Sequence, residues 1–275
     1  MRNIDTKVVN DFGREWSQFD QSVVAPAELQ KLFEDYFRVF PWEGLPESPM
    51  GFDLGCGSGR WAKIVSPRVS QLHCIDPSEE ALEVAKRNLS GVTNCCFHLA
   101  GVDNIPLPNN SMDFGYSLGV LHHVPDTTEG IRNCVSKLKP AGPFLLYLYY
   151  AFDNRPLWFK AIWKVSDLIR RVVAKTPYPI KLATSQIIAV SIYYPLAKAA
   201  RFMESLGMRV DHLPLSSYRD KSFYTMRTDA LDRFGTRLER RFTREQIEEM
   251  MIEAGLTKIR FSEEAPYWVA VGYKR

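Results

Sequence analysis

Short apolar runs alternate with helical patterns along the chain from residue 50 onward. Five of these runs predict strands, at 50–54, 71–76, 95–100, 112–119 and 143–150. The segments between them place apolar residues at spacings of three and four, which is typical of one-sided helices. Strands that alternate with helices favour a mostly parallel, doubly wound α/β sheet.

The two ends of the chain carry further patterns. Residues 1–49 form an aromatic-rich segment with the spacing of one-sided helices. Residues 243–256 predict an amphipathic helix, with Thr243 placed to cap it and Gly255 placed to end it. Two predicted strands close the chain after this helix.

The helix after the second strand has a predicted start as well. Asp76, Pro77 and Glu79 match the pattern of an N-cap, a first-turn proline and an N3 glutamate. The sequence therefore predicts that Asp76 caps this helix.

Residues 151–241 follow the fifth strand and are far too long for an ordinary connection. We expect several helices there, rich in aromatic side chains. This insertion contains 17 Lys and Arg against 8 Asp and Glu, a net charge of +9, whereas the whole chain carries +3. Two interpretations of this charge stay open, a functional basic surface and solvated faces of ordinary helices.

Composition limits the class of protein. The 275 residues are 45% hydrophobic and 24% charged, as in a globular protein that buries a core. The five cysteines include no C-x-x-C pair, and no cluster of ligand residues suggests a metal site. Free thiols and an N-terminus without an apolar leader predict a cytoplasmic location. No run of about 18 apolar residues predicts a membrane span.

The clearest motif is D-L-G-C-G-S-G-R at residues 53–60, directly after the first strand. Its glycines allow a tight turn that brings backbone N–H groups close to a ligand. The negative charge of Asp53 disfavours a pyrophosphate and favours a cationic ligand. Asp76 ends the second strand, where an acid binds both hydroxyls of a ribose. Arg60 replaces the third glycine of the dinucleotide fingerprint, which argues against a nicotinamide-dependent dehydrogenase.

Five segments together resemble the motifs of class I S-adenosylmethionine-dependent methyltransferases, in the small-molecule group often labelled type 11. They are DLGCGSGR, HCIDPS, IPLPNNSMDFGYSLGVLHHVPD, LKPAGPFLL and FTREQIEEMMIEAGL. The resemblance implies S-adenosylmethionine as cofactor. It also implies a doubly wound, seven-stranded Rossmann-like sheet with an antiparallel last strand and a mostly helical insertion after the fifth strand. The predicted domains are an N-terminal helical segment at 1–49, a cofactor-binding core at 50–150 and 242–275, and a lid or acceptor region at 151–241.

Ten residues match or adjoin the cofactor-binding positions of this family. They are Asp53, Gly55, Gly57, Gly59, Arg60, Asp76, Pro77, Val102, Leu118 and Trp16. Many relatives bind adenine through an acid at the position of Gly101, so the backbone of Val102 is the expected contact in this chain. Arg60 is expected near the cofactor carboxylate, with solvent as the alternative. Trp16 is expected over the cofactor, with ordinary core packing as the alternative.

His122 and His123 follow the fourth strand, at the edge where doubly wound sheets bind ligands. They are the candidate catalytic residues, either as a general base toward the acceptor or in a purely positional role. The residues expected to meet the substrate are Tyr149, Tyr218, Arg219 and Arg227. A structural salt-bridge cluster is the alternative for those in the insertion.

The predicted reaction is methyl transfer to an oxygen, nitrogen or carbon nucleophile of a small-molecule acceptor. The alternatives are an RNA-modifying enzyme, an enzyme on lipid acceptors, and a cofactor-binding protein without catalysis. Nothing indicates DNA, and the interleaving of basic and apolar residues in the insertion argues against RNA. We expect the aromatic side chains of the insertion to be buried in a soluble enzyme, with reversible membrane contact as the second hypothesis. The sequence leaves the oligomeric state open.

Overall fold

The computed structural model describes residues 3–275, which form two compact units. The first unit consists of residues 3–22, 29–151 and 238–275. The second consists of Val23–Glu28 and Phe152–Arg237. The first unit holds the sheet, and the named elements of the second are helices.

Seven strands form one sheet in the order β3-β2-β1-β4-β5-β7-β6. Strands β1 to β5 pair in parallel, and β7 runs antiparallel to both β5 and β6. The strand order reverses between β1 and β4, where doubly wound folds bind ligands beyond the carboxyl ends. The predicted sheet and its antiparallel last strand are thereby confirmed. The strands are β1 Met50–Leu54, β2 Gln71–Asp76, β3 Cys95–Leu99, β4 Phe114–Leu118, β5 Pro143–Tyr147, β6 Leu256–Phe261 and β7 Val269–Lys274.

Side chains that alternate along the central strands fill a core on each face of the sheet. On β5, Phe144 and Leu146 pack into one apolar cluster, and Leu145 packs into the other. Strand β4 is buried at every position. Each buried side chain of this size stabilises the fold by about 1.5–3 kcal/mol. The core therefore fixes the carboxyl ends of the strands, where the candidate site residues lie.

Helices cover the sheet in the first unit. Thr243 and Gln246 cap the last of them reciprocally, so the predicted role of Thr243 is confirmed. Gly255 follows that helix with a φ of +94°, as a terminating glycine does. The helices wholly or mostly in this unit are α1 Thr6–Gln18, α2 Pro26–Phe37, α3 Ala62–Val65, α4 Glu79–Asn88, α5 Thr127–Lys137 and, near the end of the chain, α10 Arg244–Glu253.

The start of α4 differs from the prediction. Ser78, and not Asp76, is the N-cap, because its hydroxyl accepts a hydrogen bond from the Ala81 N–H at 3.3 Å. Asp76 still belongs to β2, where it pairs with Leu99 of β3. The predicted cap was wrong because strand pairing holds Asp76 two residues before the helix cap, which frees its carboxylate for another role.

The second unit is helical, as the sequence predicts for the insertion. Its helices are α6 Leu157–Val173, α7 Tyr178–Ile188, α8 Tyr194–Ser205 and α9 Phe223–Gly235, and a π-helical segment, Ala189–Tyr193, joins α7 to α8. They enclose a small core of Val173, Ile188, Ala189, Tyr193, Ala197, Met226, Ala230 and Phe234. A buried ion pair joins Arg170 Nε to Asp167 Oδ1 at 2.7 Å, and Arg170 also donates to the carbonyl of Thr236.

Candidate cofactor and acceptor site

The loop after β1 reverses the chain through three glycines in the left-handed region. The φ angles of Gly55, Gly57 and Gly59 are +76°, +52° and +76°, values that side-chain-bearing residues rarely adopt. The Gly55 N–H donates to the carbonyl of Ile75 at 2.7 Å, so the loop is tied to the end of β2. A Cβ on Gly55 would lie 2.3 Å from the side chain of Val120, which leaves no room for a larger residue.

Asp76 stands against this loop at the carboxyl end of β2. Its Oδ2 accepts a hydrogen bond from the Gly57 N–H at 3.0 Å, and its Oδ1 accepts one from the Ser78 N–H at 2.9 Å. Burial raises the pKa of Asp76 to about 6, although both hydrogen bonds act in the opposite direction. Each carboxylate oxygen can accept a further hydrogen bond. The geometry therefore fits an acceptor for two neighbouring hydroxyls, as in a ribose.

Asp53 is buried near the end of β1, and its Oδ2 has no hydrogen-bond partner. Burial, with a smaller effect of the nearby Asp76 carboxylate, raises the pKa of Asp53 to about 8, although Tyr116 acts in the opposite direction. A buried carboxylate without a partner is costly, and a cationic group beside it removes that cost. The residues thus fit S-adenosylmethionine, which carries both a ribose and positive charge.

We expect Asp53→Asn to change how stability depends on pH in the ligand-free protein. The pKa of this carboxyl is about 8 in the folded chain, far above its ordinary value of 3.8. Between these values the folded chain binds more protons than the unfolded chain, so the contribution of Asp53 to the free energy of unfolding falls as pH rises. Asparagine cannot ionise, so the variant does not lose free energy of unfolding in this way as pH rises. The melting temperature of the variant should exceed that of the parent by several degrees at a pH of about 8, at about 2–4 °C per kcal/mol.

Thermal unfolding across pH checks this expectation. The difference between Asp53→Asn and the parent should shrink to a constant, pH-independent value below a pH of about 3, where Asp53 is protonated in both the folded and the unfolded chain. Glu47→Gln is the control, because this exposed carboxylate should give no such pH-dependent difference. A constant difference between Asp53→Asn and the parent at every pH would contradict the assignment.

Trp16 and Arg60 lie beside the glycine loop. A Cβ on Gly57 would lie 2.9 Å from the Nε1 and Cε2 atoms of Trp16, so the indole of α1 rests on this turn. The Arg60 guanidinium lies 4.4 Å from the ring centroid of Trp61 and 5.9 Å from that of Trp16. It is therefore held over aromatic rings and is partly buried. Both residues stand next to the loop, as the sequence predicts for cofactor-binding positions.

The other predicted cofactor residues lie near the same ends of the strands. Pro77 follows Asp76 directly, and Val102 is buried shortly after β3. Leu118 ends β4, and Gly119 comes next with a φ of +79°. A Cβ on Gly119 would meet no atom within 4 Å, so this backbone borders open space. Gly119 was not among the predicted site residues, because the predicted strand 112–119 included it, whereas β4 ends at Leu118.

The predicted catalytic histidines have different environments. His122 is fully buried, and neither of its ring nitrogens has a hydrogen-bond partner. Burial lowers the pKa of His122 well below its usual value, and His123 and Arg241 act in the same direction. The His123 Nδ1 lies 2.6 Å from the carbonyl oxygen of Leu238, which holds its ring in place. His122 is therefore a neutral imidazole with free nitrogens, and His123 is positioned by the backbone.

Tyr149, a predicted substrate residue, lies against these histidines. Its ring stacks on His122 with 3.9 Å between centroids. The Arg241 guanidinium lies 5.0 Å from the centroid of the Tyr149 ring, and its Nε lies 2.8 Å from Oε1 of Glu239. The side chains of Glu239 and Arg241 are only 1% and 12% exposed, so this ion pair is buried.

Sequence reasoning missed Glu239 and Arg241. It assigned them to the insertion, whereas residues 238–241 belong to the first unit in the structure. Backbone hydrogen bonds hold this segment beside the histidines: the Arg240 N–H donates to the carbonyl of His122 at 3.1 Å. The sequence RLERRF indicates only a cluster of basic residues. Nothing in it predicts that its glutamate, Glu239, pairs with Arg241.

The remaining predicted substrate residues lie in the second unit and have partners there. Tyr218 packs edge-on against Tyr193 with 5.1 Å between ring centroids. Arg219 Nε lies 2.9 Å from Oε2 of Glu204, and Arg227 donates to the side-chain oxygen of Gln186. These contacts fit the alternative interpretation from sequence, in which the residues form a structural cluster.

Metal ligation and membrane spanning are the two remaining properties of residues 3–275. No group of three or more His, Cys, Asp or Glu in this range could hold a metal ion. No helix in the same range has the length and apolar character needed to cross a bilayer.

The sheet topology and the glycine loop have the form expected of a class I methyltransferase domain. Residues 52–146, about a third of the chain, match the family model of the methyltransferase domain. The resemblance to class I S-adenosylmethionine-dependent methyltransferases is thus confirmed.

Known proteins agree with this assignment. The chain is 33% identical over 104 residues to an uncharacterised methyltransferase of Bacillus subtilis, covering 37% of this chain and 41% of that protein. It is 30% identical over 132 residues to a ubiquinone biosynthesis O-methyltransferase of Xanthomonas axonopodis, covering 47% of this chain and 54% of that protein. The chain thus spans about half the length of these curated relatives. A solved structure of a possible histamine N-methyltransferase from Thermotoga maritima has the same fold, with a TM-score of 0.51, 14% identity, and coverage of 98% of this chain and 100% of that one.

Proposed function

We propose that this chain is an S-adenosylmethionine-dependent methyltransferase that acts on an oxygen, nitrogen or carbon nucleophile of a small molecule. The observation that carries the proposal is the pair of buried carboxylates beside the glycine loop. Asp76 is oriented by the Gly57 and Ser78 N–H groups and has acceptor capacity left for a diol. Asp53 has a buried oxygen without a partner, which suits positive charge.

S-adenosylmethionine supplies, when bound, a methyl group that its sulfonium sulfur activates for transfer. In the proposed mechanism Asp76 accepts hydrogen bonds from the ribose hydroxyls, and Asp53 balances positive charge. The three glycines let the backbone approach the cofactor closely, and Trp16 closes the loop from the α1 side. The protein then contributes alignment of the nucleophile and exclusion of water, and covalent help from side chains is not needed.

We further propose that His122 faces the acceptor. A fully buried ring with two free nitrogens needs a polar partner, and a substrate hydroxyl or amine provides one. Because the pKa of His122 is lowered, its imidazole is neutral and can accept a proton from that group. The buried pair of Glu239 and Arg241 lies against Tyr149 and orients the rest of the acceptor.

The proposal also covers location and the acceptor region. All five cysteines are free in the structure, which supports a reducing compartment such as the cytoplasm. The role of residues 151–241 as a lid or acceptor region stays a prediction.

Two measurements test the proposed function. Calorimetry should show binding of S-adenosylmethionine and S-adenosylhomocysteine, and no binding of NADH. Incubation with cell extract and methyl-labelled cofactor should then place the label in the small-molecule fraction. Label in RNA or in lipid would show that the acceptor is RNA or lipid and not a small molecule. Cofactor binding without any transferred label would favour a cofactor-binding protein without catalysis. Failure to bind either cofactor form would overturn the proposal.

We expect His122→Asn to slow methyl transfer by about 100-fold, in the range of a lost general base. Cofactor affinity should stay unchanged, since the buried carboxylates are intact. His73→Asn is the control: this histidine lies on β2, and its Nδ1 is 2.9 Å from Nε2 of His98, outside the proposed acceptor site. Equal rate constants for His122→Asn and the parent would show that His122 does not assist transfer.

A further inference from the structure

Exposed apolar side chains are concentrated in the second unit. Residues 3–275 contain 20 large hydrophobic side chains that are exposed, and 18 of them belong to this unit. Only Leu99 and Ile252 of this set belong to the first unit. Soluble proteins rarely leave so much apolar surface in one region unless it meets a partner.

Helix α6 arranges this surface as a continuous stripe. Trp158, Ile162, Val165, Ile169 and Val172 recur at spacings of four and three, so they lie on one side of the helix. These five residues, here called the α6 stripe, are 46–63% exposed. The side of α6 that packs inward is a different one and carries the buried Arg170 and Val173. The α6 stripe therefore has no partner within the part of the chain that the structure describes.

Basic residues flank the α6 stripe. Lys164, Arg171 and Lys175 follow one edge of α6 and its end at spacings of seven and four, and all three are exposed. Residues 157–205 contain eight Lys and Arg against two Asp and Glu, a net charge of +6. Arg171 pairs with Asp167 at 2.7 Å, and the segment keeps an excess of positive charge beside the exposed apolar face.

The segment from α7 to α8 repeats the combination. Ile180, Ile187, Val190 and Tyr194 lie at helical spacing and are 44–66% exposed. Lys198 continues the same row, with its Nζ 5.3 Å from the centroid of the Tyr194 ring. The second unit therefore has two exposed apolar rows, each next to basic residues. Chance is a poor explanation for two such arrangements.

We propose that the second unit docks on an anionic phospholipid bilayer through the α6 stripe, with its basic flank against the lipid headgroups. An amphipathic helix of this kind lies in the plane of the interface, with its apolar face among the acyl chains and its cations on anionic headgroups. Such docking is peripheral and reversible, in agreement with the absence of a spanning helix from residues 3–275. The inference does not depend on the methyl-transfer activity.

Charge decides between the bilayer and two other occupants. In a symmetric dimer each α6 would bring the same basic flank toward its copy, so like charges would meet. Nucleic acid would satisfy the basic flank, yet it would leave Ile162, Val165 and Ile169 exposed. An anionic bilayer is complementary to both the charge and the apolar stripe.

Vesicle sedimentation with the full-length chain tests the proposal. At about 50 mM salt the protein should bind vesicles of phosphatidylcholine with phosphatidylglycerol, and binding should fall at about 500 mM salt, where headgroup attraction is screened. Vesicles of phosphatidylcholine alone should bind much less protein.

Ile169→Glu should reduce this binding by at least about 10-fold, since it places a charge in the apolar face. Ile252→Glu is the matched control, because Ile252 is 45% exposed against 47% for Ile169 and lies in the first unit. Both variants should melt as the parent does, since neither side chain is buried.

Three results would overturn the proposal. One is absence of binding to anionic vesicles at low salt, and a second is equal loss in both isoleucine variants. The third is a dimer in solution that Ile169→Glu dissociates without any vesicle binding by the parent, which would assign the α6 stripe to a second copy of the chain.

Discussion

Asp76→Asn is expected to weaken binding of S-adenosylmethionine by about 10-fold to 100-fold, because hydrogen bonds to a charged acceptor contribute about 1.5–3 kcal/mol. The substitution keeps the shape of the side chain and removes its charge. The substitution also replaces one carboxylate oxygen by an NH₂ group. Because an NH₂ group only donates, the backbone N–H of Gly57 or of Ser78 loses its acceptor. The effect should therefore combine lost ribose contacts with a less ordered glycine loop.

Asp113→Asn is the matched control for this measurement. Asp113 also captures a backbone N–H at an end of β1, since its Oδ2 accepts from Met50 N at 2.8 Å. That end is the opposite one, far along the strand from the glycine loop. Calorimetry should show unchanged cofactor affinity for Asp113→Asn. Equal affinities for Asp76→Asn and the parent would move the ribose site away from Asp76.

The central strands could be predicted closely from sequence. The expected bounds of β1 and β2, 50–54 and 71–76, agree with the structure. These strands are buried between helices on both faces, so their apolar runs are continuous and end sharply at glycine or aspartate. The same sharp ends placed Asp53 and Asp76, which is why the cofactor side of the site was accessible to sequence reasoning.

The acceptor side depends on contacts between distant parts of the chain. Arg241 lies over Tyr149 in a segment where Phe242 N donates to the Tyr149 carbonyl at 2.9 Å, a pairing across more than ninety residues. No local spacing encodes such a pairing. The cap of α4 shows the same limit on a smaller scale, since strand pairing determines whether Asp76 or Ser78 begins the helix.

Periodicity also leaves the direction of a helix face undetermined. The α6 stripe has the spacing of a core-facing helix, and such faces are usually buried. Here the residues of that stripe are exposed, and a different side of α6 packs inward. The pattern identified the helix correctly, and only the fold shows which of its faces has a partner.

Gly57→Val is expected to abolish measurable cofactor binding. Gly57 has a φ of +52°, which a β-branched residue adopts only with strain. Its new Cβ would also lie 2.9 Å from two atoms of the Trp16 indole, so the ring or the loop must move. Movement of the loop displaces the Gly57 N–H from Asp76, and the ribose acceptor then loses its orientation.

Combining this variant with Trp16→Ala separates the two causes. Removal of the indole relieves the steric clash and leaves the backbone strain, so Gly57→Val with Trp16→Ala should recover stability in part and binding only weakly. Gly91→Val is the control, because a Cβ there meets no atom within 4 Å. It should bind the cofactor as the parent does. Full recovery of affinity in the double variant would show that the indole contact, and not the left-handed backbone of the loop, determines the geometry of the cofactor site.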